Sequence, residues 1–270
     1  MLQPGTLKGK VAIVTGGGTG LGRAIALRFA DLGARVVLAS RRMENLEPVA
    51  RQIQDAGGEA LAVATDVRDV DQVEQMVAAA VDRFGQVDIL VNNAAGNFRC
   101  PAEELSPNGW RAVVDIVLNG TWYCSSAVGR RWIQEGRGGV ILNIGTTAAF
   151  HSGPGTVHSA AAKGGVLALT RALAAEWGKY GIRVNVLTPG PMEGTGGEQQ
   201  LFFTPEAREA MRAETPLGRL GTTAEVADAA AYLVSDYASW VTGANLVIDG
   251  GRWLHRPHPI ARTPKTRKTG

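Results

Sequence analysis

The segment Thr15-Gly16-Gly17-Gly18-Thr19-Gly20-Leu21-Gly22 follows a short apolar run at residues 10–15 and opens a helical pattern. Glycines at this spacing between a strand and a helix are typical of the turn that holds a dinucleotide pyrophosphate. We expect Gly16 to allow the tight turn, Gly20 to let the backbone approach the phosphates, and Gly22 to let helix and strand pack closely. The N-terminus of the helix would then face the phosphates with its free N–H groups.

The rest of the chain alternates short runs rich in Val, Ile and Leu with helical patterns, which indicates βαβ units and a parallel sheet. Near-continuous apolar runs suit strands that are covered on both faces. We therefore predict an α/β fold over residues 1–253: a single-domain, doubly wound (Rossmann) parallel sheet of about seven strands with helices on both faces. Strands are predicted near residues 10–15, 35–40, 59–64, 87–92, 139–144, 182–188 and 244–248, and helices over 69–84 and 156–178.

Two loops, residues 95–108 and 189–216, are rich in Gly, Pro and polar residues. In doubly wound folds, the loops at the carboxyl ends of the strands line the ligand crevice. The second loop is long enough to act as a substrate lid, and we expect a short helix within it around residues 204–213.

The basic charge of the chain is concentrated at its C-terminus. Residues 252–270 contain six Lys or Arg residues and no acidic residue, so residues 1–251 carry 22 basic and 25 acidic residues, a net charge of −3. The tail at 254–270 has the composition of a disordered basic arm. A nucleic-acid-binding protein would interleave such charge with aromatic residues on a folded surface, and the sequence lacks that pattern.

Three further features bear on the compartment and on metal binding. Residues 1–10 contain no apolar run of the kind found in a signal peptide, and no stretch approaches the ~20 apolar residues of a membrane helix. Cys100 and Cys124 lack the spacing of a metal site or a disulfide framework. We therefore expect a cytoplasmic protein with two reduced thiols, no bound metal and no membrane contact.

The end of the second predicted strand indicates which nucleotide is bound. An NAD-binding protein would have an acidic residue there for the ribose 2′-hydroxyl, whereas this chain has Ala39-Ser40-Arg41-Arg42. Ser40 and Arg41 can both bond a 2′-phosphate, the arginine through a bidentate fork. The sequence therefore favours NADPH, unless the two arginines merely begin a solvated helix.

Two more motifs give the chain a family resemblance. Asn92-Asn93-Ala94-Ala95-Gly96 and His158-Ser159-Ala160-Ala161-Ala162-Lys163, together with the glycine segment, resemble the short-chain dehydrogenase/reductase family. That family normally has a tyrosine four residues before the active-site lysine, and here the position is Ser159. An alkyl hydroxyl is a far weaker acid than a phenol, so ordinary ketone reduction is not expected.

Residues 94–101, 157–163 and 189–195 are similar to the 2,4-dienoyl-CoA reductases, a branch that also lacks this tyrosine. The resemblance extends from about Leu7 to Trp253. It implies NADPH-dependent reduction of 2,4-dienoyl-CoA to 3-enoyl-CoA in the β-oxidation of unsaturated fatty acids. It also implies an acyl-CoA substrate and a homotetramer.

The same resemblance implies a catalytic group of five residues. Asn97 would donate hydrogen bonds to the substrate oxygen, and Lys163 would bond the nicotinamide ribose. Ser159 would add a weaker hydrogen bond, Asn119 would support the lysine through a water, and Thr146 occupies the usual place of a catalytic serine. Relatives of the mitochondrial type have a tyrosine fifteen residues before the lysine as a second donor, whereas this chain has Ala148 there.

The remaining contacts implied by the resemblance concern the two ligands. Substrate would be bound by Arg68, Asn97, Phe98 and Ser106. The cofactor would be bound by Gly16, Thr19, Gly20, Leu21, Gly22, Ser40, Arg41, Asp66, Val67, Asn93, Lys163, Pro189, Gly190, Pro191 and Met192.

Two alternative functions remain open at this point. A trans-2-enoyl-CoA reductase would use the same enolate chemistry and the same asparagine, and an inactive NADP-binding protein would need only the nucleotide site. His151 and His158 flank the expected cleft. A lone histidine near a helix start is more often a hydrogen-bonded surface group, so neither is assigned a role.

Overall fold

The computed structural model describes residues 2–194 and 204–254. Within them, seven parallel strands form one sheet in the order β3-β2-β1-β4-β5-β6-β7. The strands are β1 (Val11–Thr15), β2 (Arg35–Ser40), β3 (Ala60–Ala64), β4 (Ile89–Asn92), β5 (Gly139–Ile144), β6 (Ile182–Pro189) and β7 (Asn245–Ile248). The predicted doubly wound sheet is therefore confirmed, with every strand boundary within two residues of its expected place.

Helices cover both faces of this sheet, as predicted. The described helices are α1 (Gly20–Asp31), α2 (Met43–Asp55), α3 (Val70–Phe84), α4 (Pro107–Val114), α5 (Gly120–Gln134), α6 (Val157–Trp177), α7 (Pro205–Ala213) and α8 (Thr223–Val234). Apolar residues of α1, α2 and α8 form the core on one face, and those of α3, α5 and α6 form the core on the other. None of the helices in this part of the chain is long and apolar enough to span a bilayer.

The order of the strands in the sheet reverses at β1, and this reversal determines where the ligand crevice lies. β1 pairs with β2 on one side and with β4 on the other, so the loops that follow β1 and β4 separate above the sheet. Such a switch point, at the carboxyl ends of the strands, is where doubly wound folds bind ligands. The expected short helix of the second loop is present as α7, whereas residues 195–203 of that loop and the tail at 255–270 lie outside the described residues.

A buried polar network ties the elements of this crevice together. The Asn92 side-chain nitrogen donates to Ser125 Oγ at 3.0 Å and to Asn143 Oδ1 at 2.9 Å. The Asn143 nitrogen in turn donates to Thr170 Oγ1 at 2.8 Å. The network therefore joins β4, β5, α5 and α6 inside the core, where each polar group needs a partner.

We expect Asn143→Ala to lower the free energy of unfolding by about 2–4 kcal/mol, because it removes the buried hydrogen bonds of Asn143 to Asn92 and Thr170 and leaves a cavity in the core. Urea denaturation followed by circular dichroism measures this change. Asn108→Ala, at an exposed position of α4, is the matched control and should change the free energy by less than about 0.5 kcal/mol. Equal stabilities of the two variants would contradict the role of the network.

Candidate active site

A cavity of about 650 Å³ lies over the carboxyl ends of β1 to β4. Nine of the predicted cofactor residues line it, and so do several residues that the sequence did not single out, among them Asn45, Thr65 and Ile116. The nine predicted residues are Gly16, Thr19, Gly20, Leu21, Ser40, Arg41, Asp66, Val67 and Asn93. The loops and helix N-terminus expected to hold a dinucleotide thus meet in one place.

The glycine turn has the close packing predicted for it. Gly16 adopts a φ of +65°, a left-handed conformation that side-chain-bearing residues rarely adopt. A Cβ atom on Gly22 would lie 2.2 Å from the Gly16 carbonyl oxygen, so only glycine allows α1 to start this close to β1. Gly22 contributes by packing and does not line the cavity itself.

The rim of the cavity at the end of β2 is basic. Arg41 and Arg42 are exposed, and neither side chain forms an ion pair with another described residue. Ser40 Oγ donates to the Arg42 backbone carbonyl at 3.3 Å. The donor set of this rim therefore fits a phosphate group on the adenosine ribose, since no carboxylate stands at the end of the strand to repel it.

Asp66, which lines the cavity, forms an ion pair with Arg68. Arg68 Nε donates to Asp66 Oδ1 at 2.9 Å, and the guanidinium makes a second bond through Nη2. Hydrogen bonding from Arg68 lowers the pKa of the Asp66 carboxyl and raises the pKa of Arg68 in return. One of the expected cofactor residues, Asp66, therefore contacts one of the expected substrate residues, Arg68, directly.

Asn93 lines the cavity while supporting the glycine turn. Its side-chain nitrogen donates to the carbonyl oxygens of Thr15 at 2.9 Å and Gly16 at 3.3 Å. Thr15 Oγ1 accepts from the backbone nitrogens of Asn93 and Ala94. These bonds fix the turn after β1 against the loop after β4.

Lys163 and Ser159 lie one helical turn apart near the start of α6, and both are buried. Lys163 is 9% exposed, and its Nζ donates to the Ile144 carbonyl oxygen at the end of β5. Burial lowers the pKa of Lys163 to about 8, because the charged ammonium loses its hydration. The lysine is therefore held against the sheet at the position where β5 ends.

Asn119 lies in an irregular segment between α4 and α5. Residues Asp115–Asn119 form a π-helical turn, and such turns are frequent at functional sites. The Asn119 side-chain nitrogen donates to Asp115 Oδ1 at 2.8 Å. The sequence had identified Asn119 by resemblance alone, and neither the π-helical turn nor the bond to Asp115 was foreseen.

Thr146 begins a short 3₁₀ turn after β5. Its hydroxyl oxygen accepts from the Ala148 backbone nitrogen at 3.4 Å, and both residues are half-buried. Because α6 packs against this turn, Thr146 lies on the same side of the sheet as the α6 lysine. At position 148 there is only a methyl group, so that side chain offers no hydrogen-bond donor.

The loop after β4 carries Asn97 and Phe98. The Phe98 backbone nitrogen donates to Asn97 Oδ1 at 2.9 Å, so the oxygen of this amide is already engaged. The Asn97 nitrogen, which carries two N–H groups, makes no hydrogen bond to another described residue. This orientation leaves Asn97 as a donor. Phe98 is 39% exposed.

The other predicted residues have structural roles in the described part of the chain. Ser106 Oγ caps α4 by accepting from the Gly109 backbone nitrogen at 3.1 Å. Gly190 lies against Asp249, and Met192 is buried where residue 192 bridges to Gly221. Pro189 and Pro191 flank Gly190 at the end of β6.

His158 departs from its sequence interpretation. We expected a hydrogen-bonded surface group, but the side chain is 0% exposed, and neither ring nitrogen has a well-aligned hydrogen-bond partner among the described residues. Its burial depends on the packing of α6 against a loop some sixty residues earlier, which no local pattern encodes. Within the same part of the chain, no cluster of His, Cys, Asp or Glu is arranged to hold a metal ion.

Comparison with known proteins identifies the family of this chain. A family model described as Enoyl-(Acyl carrier protein) reductase matches residues 16–252. A probable 2,4-dienoyl-CoA reductase (2E-enoyl-CoA-producing) of Bacillus subtilis is 50% identical, over 93% of this chain and 99% of its own. A peroxisomal 2,4-dienoyl-CoA reductase (3E-enoyl-CoA-producing) of Pongo abelii is 42% identical, over 95% of this chain and 88% of its own.

Solved structures agree with the sequence comparisons. A short-chain dehydrogenase from Bacillus anthracis is 49% identical, with a TM-score of 0.85 over 93% of this chain and 99% of its own. A gluconate 5-dehydrogenase from Burkholderia cenocepacia, solved with NADP and tartrate, is 34% identical, with a TM-score of 0.86 over 91% of this chain and 96% of its own. The chain belongs to the short-chain dehydrogenase/reductase family.

Proposed function

We propose that this protein is an NADPH-dependent 2,4-dienoyl-CoA reductase that lacks the usual catalytic tyrosine. The observation that carries the proposal is the orientation of Asn97, whose oxygen accepts from the Phe98 N–H while its nitrogen remains available as a donor. A free amide donor is suited to stabilising an oxyanion, whereas reduction of a ketone requires an acid that can protonate an alkoxide. Ser159, at the tyrosine position, supplies no such acid.

The chemistry follows from the conjugated substrate. NADPH supplies a hydride to the δ-carbon of the dienoyl thioester, and the electron pair moves through the diene onto the thioester oxygen. Asn97 donates a hydrogen bond to this dienolate oxygen. Because Ala148 cannot donate a second one, the hydroxyl of Thr146 or of Thr147 takes that role. A proton added at the α-carbon then gives the 3-enoyl-CoA product. Hydride and proton together account for the two hydrogens gained.

Each of the cofactor residues has a role in this proposal. Arg41 and Ser40 bind the 2′-phosphate, Asp66 and Val67 the adenine, and Asn93 the adenosine ribose. Thr19, Gly20 and Leu21 bind the pyrophosphate at the start of α1, and the turn at residues 189–192 binds the nicotinamide. Lys163 bonds the nicotinamide ribose, and Asn119 supports the lysine through a water.

Substrate binding uses the remaining predicted residues. Phe98 lies beside Asn97 and covers the thioester, while Ser106 and Arg68 bind the CoA portion. Because Arg68 is paired with Asp66, it must share its donors between that carboxylate and a CoA phosphate. We also propose that residues 1–253 form one domain and that the protein is a cytoplasmic homotetramer, in keeping with the family resemblance.

The printed names of the relatives differ in the product that they specify. Protonation of the dienolate at the α-carbon gives the 3-enoyl product named for the Pongo abelii protein, whereas protonation at the γ-carbon gives the 2-enoyl product named for the Bacillus subtilis protein. We favour the 3-enoyl product. The description of the matching family model favours enoyl thioester reduction as a second candidate, which would use the same Asn97 donor.

The test is an assay of purified protein with NADPH and a 2,4-dienoyl-CoA, followed by the loss of dienoyl absorbance and by identification of the product. We expect turnover of the dienoyl substrate and negligible reduction of 3-oxoacyl-CoA. Faster turnover of a trans-2-enoyl-CoA would favour the second candidate. Nucleotide binding without any turnover would identify an inactive NADP-binding protein.

For Asn97, we expect Asn97→Ala to lower kcat for dienoyl-CoA by ~10²–10³, the range for loss of one oxyanion donor. NADPH affinity should stay within twofold, since the bond matters mainly in the transition state. Steady-state kinetics and fluorescence titration measure the two quantities. Asn108→Ala serves as the control, and a loss of NADPH affinity equal to the loss of kcat would argue against the assigned role.

For Arg41, we expect Arg41→Ala to weaken NADPH binding by ~1.5–3 kcal/mol, the scale of a hydrogen bond to a charged group. NADH binding should be almost unchanged, because NADH carries no 2′-phosphate. Arg51→Ala, on the exposed face of α2 away from the cavity, is the matched control. Equal affinities of the unaltered protein for NADH and NADPH would overturn the assignment of the cofactor.

The lowered pKa of Lys163 predicts how activity depends on pH. The side chain is protonated below about pH 8 and neutral above it, so kcat/KM should fall as the pH rises through that value. Arginine keeps its charge over this whole pH range. Any activity that remains in Lys163→Arg should therefore not fall as the pH rises through about 8. A flat wild-type profile up to pH 9.5 would show that the charge is not required.

A further inference from the structure

The His158 side chain is fully buried, neither ring nitrogen has a well-aligned hydrogen-bond partner among the described residues, and the polar group that the ring approaches is the Phe98 backbone. It occupies the first turn of α6, next to Ser159. Leaving a buried polar group without a partner costs about 1–3 kcal/mol, so its presence at this position calls for a reason. Packing alone would be served better by an apolar side chain of similar size.

The ring of His158 lies against Phe98. The two ring centroids are 4.5 Å apart and the planes are tilted by 42°. On α4, a Cβ atom at Gly109 would lie 3.1 Å from Phe98 Cζ, so the glycine makes room for this ring. Phe98 therefore contacts both α4 and the start of α6, and its position depends on His158.

Phe98 in turn sets the orientation of Asn97. Its backbone nitrogen donates to Asn97 Oδ1 at 2.9 Å, and this bond determines which end of the amide remains free. A shift of the Phe98 backbone would release the amide and allow it to rotate. A chain of contacts thus runs from the His158 ring through Phe98 to the proposed oxyanion donor.

The protonation state of His158 suits a supporting role. Burial lowers the pKa of His158 below its ordinary value, and a hydrogen bond between the ring and the Phe98 backbone offsets this only in part. At neutral pH the ring is therefore uncharged, with one N–H donor and one acceptor nitrogen. An uncharged ring fits the contact with Phe98 and can still hydrogen-bond the backbone beside it.

We propose that His158 is a positioning residue: it holds the Phe98 backbone, and thereby fixes the Asn97 amide with its nitrogen towards the substrate oxygen. This inference rests on the function proposed above, because it needs Asn97 to be the oxyanion donor. His158 itself does not contact the reacting atoms.

The first test replaces the ring nitrogens and keeps an aromatic ring. We expect His158→Phe to lower kcat by about ten- to a hundredfold, the scale of slightly misplacing a catalytic group. KM and NADPH affinity should change less than twofold. His158→Asn or His158→Gln, which restores a donor near one ring nitrogen, should recover part of the rate. His151→Phe, at an exposed position, is the matched control. A wild-type kcat in His158→Phe would overturn the proposal.

A double-mutant cycle tests whether the effect passes through Asn97. If it does, the double variant Asn97→Ala/His158→Phe should be no more than twofold slower than Asn97→Ala alone. Rate losses that multiply would mean that His158 acts independently, and the proposal would be wrong. If His158→Phe does not fold, the same double-mutant cycle is measured with His158→Gln.

Hydrogen exchange separates failure of this inference from failure of the proposed function. The Phe98 N–H reports the Asn97 bond, so a peptide spanning residues 94–100 should exchange faster in His158→Phe than in His151→Phe, with or without turnover. Unchanged exchange would overturn the positioning role whatever the substrate is. If the peptide exchanges faster in His158→Phe but the unaltered protein does not reduce dienoyl-CoA, the proposed function is wrong. The structural link from His158 to Asn97 would still hold.

Discussion

The hydrogen bond between Asn92 and Asn143 joins the two central strands from which most of the active-site loops depart. β4 leads to the loop of Asn93 and Asn97, and β5 leads to Thr146 and to the carbonyl that holds Lys163. Ser125 and Thr170 extend the same network to α5 and α6. A polar network that is fully satisfied in a low-dielectric core allows few alternative arrangements. The relative positions of the loops therefore follow from the core beneath them.

Above this core, the site divides into a rigid half and an adjustable half. The half proposed to bind the nucleotide relies on close backbone packing, such as the approach of Gly22 to the Gly16 carbonyl, where a Cβ atom would not fit. The substrate half depends on side chains: the amide of Asn97, the ring of Phe98 and the ion pair of Arg68 with Asp66. This division is consistent with a family that keeps its nucleotide site while the chemistry at the other end varies.

The fold was predictable because its signals are local. Val- and Ile-rich strands covered on both faces, with the glycine turn after β1, gave strand boundaries within two residues of those observed. The nucleotide cavity was predictable for the same reason, since residues at strand ends must meet at one edge of a parallel sheet. What escaped prediction depends on contacts between distant segments. The burial of His158, for example, involves a contact with Phe98, sixty residues earlier in the chain. The bond of Arg68 to Asp66 is the exception: it joins residues two positions apart, and it was missed because no sequence pattern specifies the turn after β3.

The buried Lys163 opposes the stability of the protein that uses it. Its pKa of about 8 lies below the value of 10.5 for an exposed lysine, so the ammonium is less favourable in the folded than in the unfolded chain. At neutral pH this corresponds to a penalty of roughly 3 kcal/mol for the unliganded fold. The penalty is full below about pH 8 and disappears as the pH rises towards 10.5. The conformational stability of the unliganded chain therefore increases over the pH range in which the lysine loses its charge.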